Sequence, residues 1–178
     1  EAEERRQRYV SEYGVTLNGL YKLHGVDVGD YMEYVHAVPH SEYIEPNPAL
    51  DTMLGRLRPY KAIFTNASQS HARRVLSALR VSPSHFECIF DFEAAGYCPK
   101  PDPKAYRRIL DRLGARGDQC VLVEDNLRNL DTAKSVFDMT TVLVNKCGHG
   151  EKGQADTSVQ ADLVIDDILE LECALREA

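Results

Sequence analysis

The sequence lacks several features that would place it in a broad class of proteins. Its 178 residues include 21 Lys and Arg against 28 Asp and Glu, a formal charge of −7, and the basic residues form no cluster that could neutralise nucleic-acid phosphates. No apolar run approaches the roughly 18 residues of a membrane-spanning helix, and the first residues do not resemble a signal peptide. We therefore expect a soluble cytoplasmic protein, with the nucleus as a second compartment open to it, and neither a nucleic-acid polymer nor a membrane as partner.

Paired cysteines are also missing. The five cysteines, at positions 88, 98, 120, 147 and 173, include no two at the spacing of a zinc or redox motif. Cys88 and Cys120 lie in apolar runs, where cysteine acts as a small buried residue. Cys98 has a lysine two residues further on, which makes it the one candidate for a reactive thiol. The cysteines are therefore expected to be reduced thiols.

Two regions differ in their hydrophobic pattern. Residues 1–45 predict three short helices without strands, at 1–13, at 16–24 with Thr16 as its cap, and from Asp27 or Asp30 to about Val38. From residue 46 onward, helices alternate with apolar strands. The strands are predicted at 61–65, 88–92, 120–124, 140–144 and 162–165, the helices at 49–57, 71–79, 104–113, 129–137 and from 167, and a polar loop at 145–160. This alternation predicts an α/β fold, a doubly wound (Rossmann-like) parallel sheet.

Polar residues follow three of the predicted strands. They are Thr65 with Asn66, Asp91, and Glu124 with Asp125. In parallel sheets, catalytic and ligand-binding residues lie at the carboxyl ends of the strands. We therefore expect these residues to face one crevice. Lys100 ends a long loop that could fold into it.

The residue types at these strand ends favour phosphoryl transfer. Adjacent carboxylates such as Glu124 and Asp125 repel each other unless a cation neutralises them, and Mg²⁺ prefers carboxylate and water oxygens. Thr65, the backbone amides after it and Lys100 could bind a phosphate. Each residue also has a structural interpretation: Thr65 as a turn hydroxyl, Lys100 as a solvated loop lysine held by prolines, and the two carboxylates as a helix cap.

Three segments resemble the second, third and fourth signature motifs of the haloacid dehalogenase superfamily. They are Ile63-Phe64-Thr65-Asn66-Ala67, Lys100-Pro101-Asp102-Pro103 and the stretch 121–129. Residues 8–20 are similar to the cap segment of the pyrimidine 5′-nucleotidase-like branch of that superfamily. The resemblance implies a small, partial helical cap over residues 1–45 and a core over residues 46–178.

By this resemblance the protein is a magnesium-dependent phosphatase acting on a small phosphorylated metabolite, a nucleoside 5′-monophosphate such as UMP or CMP. Thr65 and the Asn66 amide would hold the phosphoryl group, and Lys100 would neutralise charge beside it. Glu124 and Asp125 would bind Mg²⁺ directly or through water. Asn126 stands where the family often has serine, which leaves the expected metal ligands intact.

Side chains of the predicted cap are candidates for choosing the substrate. They are Tyr21, Lys22, His24 and His36. Each is also a plausible packing or surface residue, because Tyr and His divide between the interior and the surface of proteins.

The first motif of the family, Asp-x-Asp-x-Thr, is not found. Asp91-Phe92-Glu93 has the wrong residues and position, and residues 27–30 lie in the predicted cap. The motif carries the nucleophilic aspartate on a central strand, between the strands that end at Thr65 and Glu124. In this family the first motif precedes the cap, and residue 1 is Glu rather than Met, so we expect the motif upstream of Glu1.

Two consequences of the missing motif are expected. The chain alone should be inactive for want of a nucleophile. Unpaired strand groups at roughly 1–3 kcal/mol each should leave it marginal or rearranged, or completed by an N-terminal segment or a second copy.

Two alternatives to the phosphatase stay open. The first is a non-catalytic protein that lost the first motif and still binds phosphate or metal. The second is a haloacid dehalogenase, which needs no Mg²⁺ and would have less use for Glu124 and Asp125.

Overall fold

The computed structural model of the protein describes residues 1–145 and 160–177. Nine α-helices occur in these residues: α1 Ala2–Tyr13, α2 Thr16–His24, α3 Val28–Val35, α4 His40–Tyr43, α5 Pro48–Arg56, α6 Gln69–Leu79, α7 Pro103–Leu113, α8 Leu127–Phe137 and α9 Leu171–Glu177. Five strands accompany them: β1 Ala62–Phe64, β2 Cys88–Phe90, β3 Val121–Glu124, β4 Thr140–Val144 and β5 Leu163–Ile165. Short 3₁₀ turns lie at Pro83–His85, Gly117–Gln119 and Ile168–Glu170. The predicted α/β class is confirmed.

The chain divides into two compact units that are interleaved in sequence. The first contains Glu1–Pro46 and Lys61–Pro99, and the second contains Asn47–Tyr60 and the described residues from Lys100 onward. The first unit therefore holds α1 to α4 together with α6, β1 and β2. The predicted division into a cap over residues 1–45 and a core over residues 46–178 stays a prediction.

All strand pairs are parallel, as predicted, and they form two separate sheets. In the first unit β1 pairs with β2, with Ile63 opposite Ile89. In the second unit the order is β3-β4-β5, with Val123 opposite Val142. Among the described residues, β1 and β3 each have one hydrogen-bonded neighbour, so each has an open edge. The predicted central strand is not one of these five.

The core of the second unit joins distant parts of the chain. Met53 on α5 is buried in one cluster with Val142, Ile165 and Leu171. Partly buried leucines of α5 pack around them, on the face of the sheet that α9 also covers. The three-stranded sheet therefore depends on α5 for this part of its apolar cover, although α5 precedes the first strand in sequence.

A charged contact fixes the start of β5. Asp162 Oδ1 accepts a hydrogen bond from Lys134 Nζ at 2.6 Å, while Oδ2 accepts from the backbone N–H and the hydroxyl of Thr141 at 2.9 and 2.7 Å. The Asp162 N–H returns a bond to Thr141 Oγ1 at 3.1 Å. Bonds from Lys134 and Thr141 lower the pKa of the Asp162 carboxyl to about 2. This contact ties α8 and β4 to β5.

In the first unit, α1 and α2 pack closely through a glycine. The Tyr9 ring lies against Gly19 so tightly that a Cβ at this position would stand 2.5 Å from the ring. The Tyr9 hydroxyl lies 2.8 Å from His24 Nε2. The predicted first two helices therefore form one helical hairpin.

Most helix ends lie within two residues of the predictions; the exceptions are the end of α3 and the start of α9, which begins at Leu171 after a 3₁₀ turn and not at Asp167. Thr16 is the first residue of α2 rather than its cap, and Val15 before it gives no side-chain bond. The third helix ends at Val35, not at about Val38, because the His36 N–H closes the last turn on Met32 and Tyr34. The short helix α4 follows and was not predicted.

Cys88 and Cys120 are free thiols, as expected. Burial raises the pKa of Cys120. Cys147 and nearly all of the predicted loop 145–160 lie outside the described residues. Within the described ranges, no helix is long and apolar enough to cross a membrane.

Candidate functional site

Thr65 and Asn66 lie directly after β1, as predicted. The Thr65 N–H donates to the Phe90 carbonyl at 3.0 Å, which extends the pairing of β1 with β2. The Thr65 hydroxyl accepts the Ala67 N–H at 3.0 Å. The hydroxyl therefore shapes the turn that leads into α6. Its second lone pair and its proton are the groups with which it could contact a phosphate.

Asp91, the strand-end carboxylate expected to face the crevice, is bonded to backbone. Its Oδ2 accepts the Gln69 N–H at 3.0 Å, and its Oδ1 accepts the Ala94 N–H at 2.9 Å. Both oxygens thus fix the first turn of α6 and the loop after β2. In this arrangement Asp91 has a structural role.

The second unit holds a nearly buried ion pair between two predicted site residues. Lys100 Nζ donates to Glu124 Oε2 at 2.6 Å, and the two side chains are 8% and 11% exposed. The other Glu124 oxygen accepts the Asp125 N–H at 3.2 Å. Lys100 is therefore a cationic partner of Glu124, and the Mg²⁺ site predicted at Glu124 and Asp125 stays a prediction. Asp125 is exposed beside this pair.

Capped helices hold the two loops that bring Lys100 and Glu124 together. Asp102 caps α7, accepting the Lys104 N–H at 2.9 Å, and Asn126 caps α8, accepting the Arg128 N–H at 3.0 Å. The residue that caps α8 is thus Asn126, and not Glu124 or Asp125, whose structural interpretation was a helix cap. Each cap ends its loop within two residues of Lys100 or Glu124.

Tyr106 connects the first turns of α7 and α8. Its side chain is fully buried and stacks on Phe137, and its hydroxyl donates to the Asn129 carbonyl at 2.8 Å. Burial, and then the charge of Glu124, raise the pKa of Tyr106 well above its usual value. No sequence motif points to Tyr106. Its signal was the inward-facing stripe of α7, formed by Ala105, Tyr106, Ile109 and Leu110.

The donors present fit Mg²⁺ in kind and fall short in number. Asp125 and Glu124 supply carboxylate oxygens, one of which already accepts from Lys100. In the two described ranges, no group of three or more His, Cys, Asp and Glu side chains is arranged to hold a metal. Mg²⁺ commonly binds through one or two carboxylates, with water and substrate phosphate completing its shell. The pair is therefore compatible with that kind of site.

The candidate substrate-choosing side chains have separate environments in the first unit. Tyr21 is 58% exposed, and Lys22 Nζ lies 5.3 Å from the centre of the Tyr13 ring. His24 pairs with Tyr9, as described above, and His36 stacks on His71. These four residues therefore do not form one group. Thr65 and Asn66 belong to the first unit and Lys100, Glu124 and Asp125 to the second, so their meeting in one crevice stays a prediction.

Comparison with known proteins gives one family and several relatives. A sequence profile of the haloacid dehalogenase-like hydrolases matches residues 7–136. The curated protein "Phosphate metabolism protein 8" of Saccharomyces cerevisiae is 28% identical over 152 residues, which are 76% of this chain and 47% of that protein. The chain thus spans about half the length of this curated relative.

Solved structures resemble the fold as well. A HAD phosphatase from Thermococcus onnurineus superposes with a TM-score of 0.65 at 24% identity, covering 97% of this chain and 78% of its own. An L-2-haloacid dehalogenase from Xanthobacter autotrophicus with chloropropionic acid covalently bound gives 0.67 at 17% identity, covering 98% and 82%. At these identities the likeness concerns the fold.

Proposed function

Since this chain belongs to the haloacid dehalogenase-like hydrolases, we propose that it is part of a magnesium-dependent phosphatase that hydrolyses nucleoside 5′-monophosphates such as UMP and CMP. The observation that carries the proposal is the nearly buried pair of Lys100 and Glu124 with Asp125 beside it. The name of the yeast phosphate metabolism protein supports phosphate chemistry.

In the proposed reaction, a carboxylate oxygen of an aspartate upstream of Glu1 attacks phosphorus. The phosphorus–oxygen ester bond breaks, and the second aspartic acid of the Asp-x-Asp motif would give its proton to the leaving nucleoside oxygen. Water then attacks phosphorus, gives its proton back to that aspartate and releases inorganic phosphate from the nucleophilic aspartate. Thr65 and the Asn66 amide would hold the oxygens of the transferring group. Lys100, held by Glu124, would offset the negative charge shared by phosphate and nucleophile.

Asp125 and Glu124 would hold Mg²⁺, Asp125 directly and Glu124 through water, because Lys100 already occupies one oxygen of Glu124. The ion would supply positive charge where the phosphate oxygens become more negative. In this arrangement Lys100 keeps Glu124 oriented whether or not substrate is bound.

The test is an assay of the full-length chain, including the sequence upstream of Glu1. We expect release of phosphate from UMP and CMP that requires Mg²⁺ and is lost in EDTA. Lys100→Ala and Asp125→Asn should each lower kcat by about a hundredfold or more. Lys104→Ala, which removes an exposed lysine of the same loop and helix start, is the matched control and should leave kcat unchanged.

The same assay separates the alternatives. Tight binding of phosphate or metal without turnover would favour the hypothesis of a non-catalytic binding protein over that of an enzyme. Release of chloride from 2-chloropropionate without Mg²⁺ would favour the hypothesis of a dehalogenase over that of a phosphatase. Phosphatase activity that survives both substitutions would refute the assigned site.

A further inference from the structure

A cluster of nitrogen-bearing side chains in the first unit has no role in the reaction proposed above. It consists of His36 after α3, His40 at the start of α4, and His71 and Arg74 on α6. The rings of His36 and His71 stack with centroids 4.0 Å apart, and His40 Nε2 lies 3.1 Å from His71 Nδ1. We call these four residues the histidine–arginine cluster.

The cluster contains unsatisfied polar atoms. Arg74 Nε, Arg74 Nη2 and His36 Nδ1 are buried and have no hydrogen-bond partner. Across residues 1–145 and 160–177, no other buried side-chain nitrogen or oxygen is left in this state. Buried polar groups in folded proteins are nearly always paired, with protein, water or an ion. Three exceptions in one cluster therefore indicate a partner that these residues do not supply.

The nearest carboxylate does not fill this role. Glu33 Oε1 accepts a short bond from Ser70 Oγ at 2.6 Å, and Oε2 lies 3.4 Å from Arg74 Nη1. Glu33 thus contacts the end of the guanidinium opposite to Nε. The edge formed by Nε and Nη2 is the one that binds two oxygens of a single carboxylate or phosphate group side by side.

The charges of the cluster favour an anion and oppose a cation. Burial lowers the pKa of His36 and of His71, and the charges of Arg74 and the neighbouring imidazoles lower both further. On His36 a hydrogen bond with the Met32 backbone, and more weakly the charge of Glu33, act in the opposite direction. The lowered pKa of His36 and of His71 favours their neutral imidazoles near pH 7. A bound anion would favour protonation of His36, which turns Nδ1 into a donor. A metal ion would face the guanidinium.

We propose that the histidine–arginine cluster binds an oxyanion, the carboxylate or phosphate group of a small molecule, through Arg74 Nε and Nη2 with His36 Nδ1 beside them. The group can belong to the substrate of the proposed reaction or to a separate metabolite. The site stands on the geometry of α3, α4 and α6 and does not require the phosphatase to be correct.

The test follows the histidine Cε1–H resonances of the full chain by NMR during pH titration. Inorganic phosphate and acetate are the probes, each compared with chloride at equal ionic strength. We expect phosphate to raise the titration midpoints of His36 and His71. Arg74→Met should abolish this response, whereas Arg73→Met, which removes the exposed arginine next to it on α6, should keep it. Lys100→Met should also keep it, which separates this site from the candidate active site.

Arg74→Lys provides a second variant that keeps the charge and loses the paired edge, so we expect its response to need more phosphate. Unchanged midpoints in both probes, or an equal response in Arg74→Met, would overturn the proposal. If phosphate competes with UMP hydrolysis over the range that shifts the histidines, and Arg74→Met removes this competition, the bound group is the substrate's own. Competition that survives Arg74→Met belongs to the candidate active site, and the ligand of the cluster is then a separate metabolite. If turnover is unaffected over that range, the ligand is a separate metabolite.

Discussion

The contact between Asp162, Lys134 and Thr141 should make the second unit sensitive to acid in a predictable range. We consider Asp162→Asn, which removes the negative charge and keeps the shape of the side chain. The carboxyl pKa falls from 3.8 to about 2 in the folded protein, which corresponds to roughly 2.5 kcal/mol at neutral pH. Because this side chain is 37% exposed, solvent screening reduces the expected loss to about 1 kcal/mol.

The sign of the pH dependence follows from the lowered pKa. The stabilisation is fully present above the unfolded pKa of 3.8 and is lost as the pH falls toward about 2. We therefore expect the free-energy difference between wild type and Asp162→Asn to be largest at pH 5 to 7, and to shrink steadily once the pH falls below about 4.

Urea unfolding at a series of pH values measures this difference. Asp111→Asn, at an exposed position of α7, is the matched control and should change stability little at any of them. A loss that stays the same from pH 6 down to the lowest pH at which the protein folds would refute the reasoning, since it could not come from the charge of Asp162.

Two further predictions concern the candidate active site. Lys100→Met leaves the nearly buried Glu124 carboxylate without its cation and should lower the free energy of unfolding in urea by about 3 kcal/mol. Adding Glu124→Gln should recover part of this loss. Equal losses of stability in the single and double variants would contradict the pairing. Tyr106→Phe removes the bond to the Asn129 carbonyl and should cost about 1 kcal/mol, whereas Tyr60→Phe at a 90% exposed position should cost nothing; similar values for both would show that the Tyr106 hydroxyl contributes no stability.

Local signals account for the parts of the fold that the sequence predicted well. β4 has the predicted bounds because its five residues are β-branched or apolar and follow a helix end. α7 begins at Pro103, one residue before the predicted start, because Asp102 caps it and proline fits the first helical turn. Where the structure differs, as at the end of α3, the last turn is closed by backbone bonds that no side-chain type announces.

Contacts between distant residues account for what the sequence could not show. Lys100 and Glu124 were both predicted as site residues, but their pairing requires that two capped loops meet, which no spacing reveals. The residues of the histidine–arginine cluster lie on or next to three different helices, α3, α4 and α6. Of its members, only His36 was singled out, and for its place in the predicted cap rather than for its neighbours.

The position of α5 in the core bears on how the second unit folds during synthesis. Met53 leaves the ribosome long before Val142, Ile165 and Leu171, the residues that bury it. Until those strands and α9 are made, the apolar face of α5 has none of these partners, and Lys61–Pro99 of the first unit is translated in between. Because a long loop must close before this core gains its contacts, we expect the second unit to complete its folding last, with chaperones shielding α5 meanwhile.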